Sequence, residues 1–262
     1  MLRRDSTWSK TASGMGRPLD GRDRGAFPGA ARQCSPSSTP LEEQRGLVSF
    51  SLRFRDLFEK PADYDAFVRV LAEALDECPM RILAFVLMPN HWHFVLWPVR
   101  DGDLSAFCRW LTHTHSMRWH AHDHTSGTCP IYQGRFKAFA VETDEHLDTV
   151  CRYVERNPLR ANLVQRAEHW RWSSLWRRIH GDDQPSKFLS AWPVSVLDDW
   201  VERVNEPQTE AELAALGRSV QRACPFGAGS WQKQLAARLG LGHTLRPLGR
   251  PKKALLAEEP AS

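Results

Sequence analysis

From Leu47 onward the chain falls into periods. Val48, Phe50, Leu52 and Phe54 alternate with Ser49, Ser51 and Arg53, the two-residue repeat of a half-buried strand. Before it, residues 1–45 are rich in Gly, Pro, Ser and Arg and show no sustained period. Such a segment buries too little apolar surface to offset its ordering entropy, so mostly disordered chain is expected there. Pro61, followed by Asp63 and Asp65, suits the first turn of a helix. Tyr64, Phe67, Val68, Leu71 and Leu75 keep helical spacing as far as Glu77. Two strand-like runs follow, 81–88 and His91–Pro98, joined by a Pro89-Asn90 turn. Leu104, Phe107, Cys108 and Leu111 mark a second amphipathic helix starting near Asp103. Residues 122–130 read as a loop and 131–141 as another strand. A third helix begins near Thr143-Asp144 and is expected to stop before Pro158. The order β-α-β-β-α-β-α predicts an α+β fold, a split β-α-β sandwich on a central antiparallel sheet.

Beyond Trp170 the pattern changes. Trp172, Trp176, Trp192 and Trp200 punctuate the chain, and helical periods recur at Glu210–Arg222 and 230–239. The expected division is a 1–45 extension, a core domain over 46–170, a small helical appendage over 171–248 and a basic tail over 249–262. Composition adds bounds: of 262 residues, 42% are hydrophobic and 25% charged, as in an ordinary globular protein. No apolar run is long enough to span a bilayer, and no apolar core follows Arg3-Arg4 as in a secretory leader. A cytoplasmic, nucleoid-associated protein with no membrane partner is the expectation. The six cysteines form no Cys-x-x-Cys pair, so neither a zinc ribbon nor a disulfide framework is expected.

The net charge of +4 matters less than its distribution. Seven arginines lie between Cys151 and His180 against Glu155 and Glu168, and the stretch from Arg238 to Lys253 holds five basic residues and no acid. Clusters like these suit a polyanion such as nucleic acid, or equally a solvated basic face.

Candidate chemistry begins at Met88-Pro89-Asn90-His91-Trp92-His93. On a strand, residues two apart share a face, so His91 and His93 project together while Trp92, Phe94 and Leu96 project opposite. Paired imidazoles are half of a divalent-metal site, or simply two satisfied surface histidines. On the third helix Tyr153 and Asn157 lie four residues apart on one face. There a tyrosine is a possible nucleophile and an asparagine a neutral oxygen ligand, although a packed helical tyrosine has the same spacing. The combination suits phosphoryl transfer to a protein hydroxyl, the metal offsetting charge that develops on the phosphate. The histidines 113, 115, 120, 122 and 124 invite a zinc reading, but His113 and His115 face different directions on a helix. Trp110 and Trp119, each beside an arginine, are candidates for stacking on unpaired bases.

Taken with Gln133-Gly134-Arg135-Phe136-Lys137 and the stretch 153–164, the His91–His93 motif resembles the single-tyrosine HUH transposases, in their REP-associated tyrosine transposase branch. The resemblance spans about 57–253 and includes Trp172-Ser173-Ser174-Leu175 and Gly249-Arg250-Pro251. It implies the HUH endonuclease type of ferredoxin-like sandwich. His91 and His93 would be metal ligands with Asn157 as the third, Mg²⁺ or Mn²⁺ the cofactor, and Tyr153 the nucleophile. Cleavage and rejoining of single-stranded, hairpin-forming repeat DNA would proceed through a 5′-phosphotyrosyl intermediate and a free 3′-OH. Arg135, Lys137, Arg160, Arg250, Lys252 and Lys253 are the expected DNA contacts, with a homodimer or a monomer as the acting form. The front of the chain departs from the family, whose members open with a strand reaching a turn with His and Asn and then an arginine-rich loop. Residues 1–56 do not follow that pattern. A catalytically silent or domesticated DNA-binding descendant is therefore the alternative.

Overall fold

The structure, a computed structural model, describes residues 46–51 (backbone only), 57–125, 130–132, 136–142, 145–181 and 188–246. Its first part runs β1 (Gly46–Ser51), α1 (Pro61–Glu77), β2 (Met80–Met88), β3 (His91–Pro98), α2 (Asp103–His122), β4 (Lys137–Ala140) and α3 (Glu145–Arg160). The strands form one sheet in the order β2-β3-β1-β4, every neighbouring pair antiparallel. This is the α+β split β-α-β sandwich that the periodicity predicts.

The two faces of the sheet are covered differently. Phe67 and Leu71 of α1 and Phe107 and Leu111 of α2 pack on one face against Phe85, Trp92, Phe94 and Leu96. On the other, Leu147, Val150 and Val154 of α3 meet Leu83, Ala84, Val86 and Val95. Trp92 and Phe94 are wholly buried, and each such side chain contributes roughly 1.5–3 kcal/mol relative to exposure. That burial locks the register. A one-residue slip of β3 would drive His91 and His93 into the α1 face and lift Trp92 and Phe94 out of it. In the observed register His91 sits between Met88 and Ser51, and His93 between Val86 and Ser49. Pro61 opens α1 as expected, and the Asp63 carboxylate accepts the backbone N–H groups of Glu59 and Lys60.

Two boundaries differ from the sequence reading. Among the described residues of the strand expected over 131–141, the strand runs over Lys137–Ala140. Ile131 and Tyr132 instead pack beside the α1 face, where the Tyr132 hydroxyl meets His115 Nδ1 at 2.8 Å and accepts from Trp92 Nε1 at 3.3 Å. A tethered hydroxyl in the core outweighs continued strand pairing. The other difference is α3, which runs through Pro158 to Arg160. Proline deletes one helical hydrogen bond, but Pro158 and its neighbour Asn157 are buried, and packing holds the backbone helical. The Ala161 N–H donates to Asn157 O at 2.9 Å, and the helix ends only where Asn162 adopts a left-handed φ of 56°.

After a short 3-10 turn at Ala167–His169 come α4 (Ser174–His180), α5 (Trp200–Asn205), α6 (Glu210–Arg222), α7 (Gly229–Arg238) and α8 (Gly242–Leu245). Trp192, Trp200, Val204, Leu216 and Phe226 enter the same apolar cluster as α3. The C-terminal segments also close both sheet edges. Leu87 N–H donates to Trp172 O and Ser190 N–H to Ile82 O along β2, while Phe226 N–H donates to Ala140 O beside β4. Unpaired strand edges invite pairing with other chains, and both are covered here. Among the described residues, no helix is long and apolar enough to cross a membrane. The expected disordered extension (1–45), residues 52–54, Thr143-Asp144 and the basic tail from 249 lie outside the described residues.

Candidate active site

The start of β3 and the last two turns of α3 come together on the α3 face. His91 and His93 stand with ring centroids 4.8 Å apart, and the Tyr153 ring lies 5.7 Å from that of His93. Strand alternation delivers the first pair. The 3.6-residue repeat delivers Tyr153, Asn157 and Arg160 to one stripe of α3, beside the apolar stripe of Val150, Val154 and Pro158. The continuation of α3 past Pro158 is what lets Arg160 reach back. Its guanidinium donates to Asn157 Oδ1 at 3.1 Å and to the Tyr153 hydroxyl at 3.3 Å, and lies 4.6 Å from the centre of the phenol ring.

Both imidazoles are held neutral. Burial, reinforced by the Arg160 charge, lowers the His91 pKa to about 4. Burial, then His91 and Arg160, pushes His93 well below its ordinary value. Neutral imidazole is the metal-binding form. His91 Nδ1 lies 2.6 Å from Asn90 Oδ1; since an amide oxygen only accepts, Nδ1 carries the proton and Nε2 keeps its lone pair. Asn90 looks like a mere turn residue in the sequence, and its role as the group that orients His91 emerges only from the folded turn.

The residues fit a divalent cation by a further observation. His93 Nδ1 and Asn157 Nδ2 are buried without a hydrogen-bond partner. Buried polar atoms are rarely left so, and a cation would use the lone pair of His93 Nδ1; the Asn157 amide nitrogen has none to give, and its Oδ1 already accepts from Arg160. No group of three or more His, Cys, Asp or Glu side chains is placed to hold a metal among the described residues. The third ligand expected from the sequence is an asparagine, outside those four types.

The remaining expected contacts are spread more widely. Lys137 is exposed, and its register through Ser49 to His93 puts it on the His93 face two strands away, about 10 Å across the sheet. Arg135, Arg250, Lys252 and Lys253 lie outside the described residues. Of the seven clustered arginines, three serve the fold rather than a polyanion or solvent. Arg152 donates to the carbonyls of Arg203, Glu206 and Pro207, Arg156 to those of Val204 and Asn205, and Arg178 to that of Leu83. The first two satisfy the carbonyls at the C-terminal end of α5, where helices lack internal partners.

Glu155, counted in the sequence only as an acid among arginines, is completely buried on the same helix as Tyr153. It accepts from Ser174 Oγ at 2.5 Å and from Trp200 Nε1 at 2.7 Å, with Arg178 3.9 Å away. This network fastens the tyrosine helix to the C-terminal half. The zinc reading of the other histidines is not supported: His115 is buried against Tyr132, whereas His113 is exposed. Trp110 is half-buried against the α1-face core, and Trp119 packs edge-on against its neighbour His120.

Comparison with known families matches residues 48–157 to the family described as "Transposase IS200 like". This segment starts in β1 and ends at Asn157, so it contains His91, His93 and Tyr153. Among solved structures, the chain resembles a REP-associated tyrosine transposase bound to a REP hairpin, with 19% identity over 64% of this chain and 94% of that one and a TM-score of 0.46. A protein described as a transposase of Deinococcus radiodurans R1 aligns with 12% identity over 46% of this chain and 88% of that one, with a TM-score of 0.33. Comparison with curated proteins finds no match. Over residues 48–157, the chain is thus similar to the IS200-like transposases.

Proposed function

We propose that the protein is a metal-dependent transposase of the REP-associated tyrosine branch, which cleaves and rejoins single-stranded, hairpin-forming DNA. The observation that carries this reading is the meeting of Tyr153, His93 and Arg160 at one spot, with the phenol hydroxyl within reach of a guanidinium. His91, His93 and Asn157 would hold Mg²⁺ or Mn²⁺. Once bound, the ion would draw charge from a non-bridging phosphate oxygen.

The chain's own groups do the rest. Tyr153 Oη attacks the phosphorus, the bond from phosphorus to the 3′ oxygen breaks, and the phenolic proton passes to that leaving oxygen. The products are a 5′-phosphotyrosine and a free 3′-OH. Arg160 stabilises the phenolate as it forms, and the exposed side of its guanidinium faces phosphate. Because the phosphodiester energy stays in the tyrosine ester, attack by a 3′-OH rejoins DNA without an external energy source. Lys137 on the same sheet face, Arg135 before it, and Arg250, Lys252 and Lys253 in the tail supply phosphate contacts that position the strand without reading its sequence.

The test is a covalent-adduct assay with labelled single-stranded hairpin DNA and Mn²⁺ or Mg²⁺ on a denaturing gel. The wild type should give a shifted band, lost with EDTA and restored by adding metal back. Tyr153→Phe should give none while its DNA binding stays within about threefold of wild type. An adduct formed by Tyr153→Phe overturns the nucleophile, and one formed in EDTA overturns the metal. Binding without any adduct in the wild type identifies a silent DNA-binding descendant.

A further inference from the structure

Away from the tyrosine, between α1 and the segment leading into α4, lies a cavity of about 220 Å³. Asp65 and Arg69 line it from α1, and Arg171, Trp172, Trp176 and Arg177 from the other side. We propose that this cavity holds one unpaired nucleotide of the bound DNA strand next to the site of cleavage, an inference that rests on the DNA-processing function above.

Chemistry and size both select this occupant. Three arginines and one carboxylate line it, an excess of positive charge that favours an anion; Arg177 lies 4.6 Å over the Phe188 ring, while Arg69 and Arg171 are exposed, and arginine forks match phosphate oxygens. Two indoles add flat apolar surface, and aromatic faces with cationic neighbours are what single-strand binding sites use to hold a base. The rings are fixed in advance. Trp172 stacks on Tyr64 at 4.1 Å and donates its Nε1–H to Asp65 at 3.5 Å, while Trp176 stacks on His180 at 4.5 Å with the Arg171 guanidinium 5.9 Å from its centre. A carboxylate has about four acceptor positions, so Asp65 keeps capacity for an N–H on a base edge. The volume is below the roughly 300–1,000 Å³ of pockets that enclose whole ligands. It admits a single base, leaving the sugar and phosphate at its open mouth, and excludes a duplex.

The location suits a strand threaded past the tyrosine. Trp172 and Trp170 are bound to Leu87, whose N–H donates to Trp172 O and whose carbonyl accepts from Trp170 Nε1 at 2.9 Å. Leu87 is one register position from the Met88–His91 pair. The cavity therefore borders the outer edge of β2 beside the turn that carries His91. A strand lying on the α3 face reaches it by passing over the Trp170–Trp172 segment that covers that edge.

Fluorescence anisotropy of the full chain with a labelled hairpin, blunt or with a short unpaired extension, tests the proposal. Arg69→Glu and Arg171→Glu alter exposed residues, and each should weaken binding of the extended hairpin at least about tenfold and leave the blunt one unchanged. The slope of log affinity against log salt should fall by about 0.7 for each phosphate that no longer meets an arginine. Wild type should prefer one base at one position of the extension, and Asp65→Asn should flatten that preference. If the charge reversals lower the melting temperature, Arg171→Gln serves instead. Equal losses on both hairpins, or none, overturn the proposal. Displacement by millimolar inorganic phosphate with no effect of the extension also overturns it, leaving a phosphate site only. Adduct formation at saturating DNA, read in parallel, should persist in the variants. Absence of adduct in the wild type refutes the cleavage chemistry alone, since anisotropy still reports on the cavity.

Discussion

Arg160 has two partners one and two turns back on its own helix, Asn157 and Tyr153, and a shortened side chain reaches neither. Arg160→Ala should slow adduct formation about a hundred- to a thousandfold, the usual loss when a donor aimed at developing charge is removed. Arg160→Lys should recover part of it, since a point charge replaces the fork. Single-turnover rates at saturating DNA separate this from weaker binding, and an unchanged rate in Arg160→Ala would remove the residue from the reaction. At His115 the issue is stability. Burial lowers its pKa from 6.5 to about 3, so the folded protein keeps it neutral while the unfolded chain protonates near 6.5. The stability this gives is complete above pH 6.5 and is lost progressively as pH falls towards 3, by about 3–5 kcal/mol in full. His115→Gln, able to bond Tyr132 without titrating, should flatten the melting temperature between pH 6.5 and 4. A variant as acid-sensitive as wild type would show that another group dominates.

At the scale of elements, α3 carries Tyr153, Asn157 and Arg160 on one stripe and the core on the next, and its C-terminal half is braced from outside. Arg156 donates to the Val204 and Asn205 carbonyls and so ties α3 to the end of α5. Arg156→Ala should cost about 1–3 kcal/mol, because hydrogen bonds from a charged donor vanish and partly buried carbonyls are left unpaired. Urea unfolding measures this, and a loss under about 0.5 kcal/mol would mean that water replaces the guanidinium. Local pattern also reaches its limit at this scale. The His91–Pro98 strand, the start of α1 at Pro61 and the whole of Glu210–Arg222 follow from period and punctuation. The continuation of α3 through Pro158 does not, because burial overrides the local penalty of proline. Nor does the role of Arg152, Arg156 and Arg178, since a run of arginines reads the same whether the side chains meet phosphate, water or the carbonyls of a distant helix.

In the whole molecule, the C-terminal half shares its core with α3 and covers both sheet edges, so the candidate site sits on a frame supported from two sides. Metal should therefore matter more to chemistry than to folding. Chelation should abolish the adduct, a loss above about a hundredfold, and shift the melting temperature by no more than a few degrees, because apolar packing rather than ligation holds β3 against α3. Unfolding on chelation would instead make the cation a structural element.

The sequence by itself determined the local periods and the chemical types. Alternation on one strand put two imidazoles on the same face, and helical spacing put a phenol, an amide and a guanidinium on one stripe, because backbone geometry sets both repeats. Tertiary structure decided what those groups meet. Packing of α3 across β3 brought Tyr153 to His93, burial set both histidines neutral, Asn90 fixed the tautomer of His91, and Glu155 became a buried tie to Trp200. Each of these depends on the folded backbone, on residues far apart in the chain or on the exclusion of water, and none is a property of a local pattern.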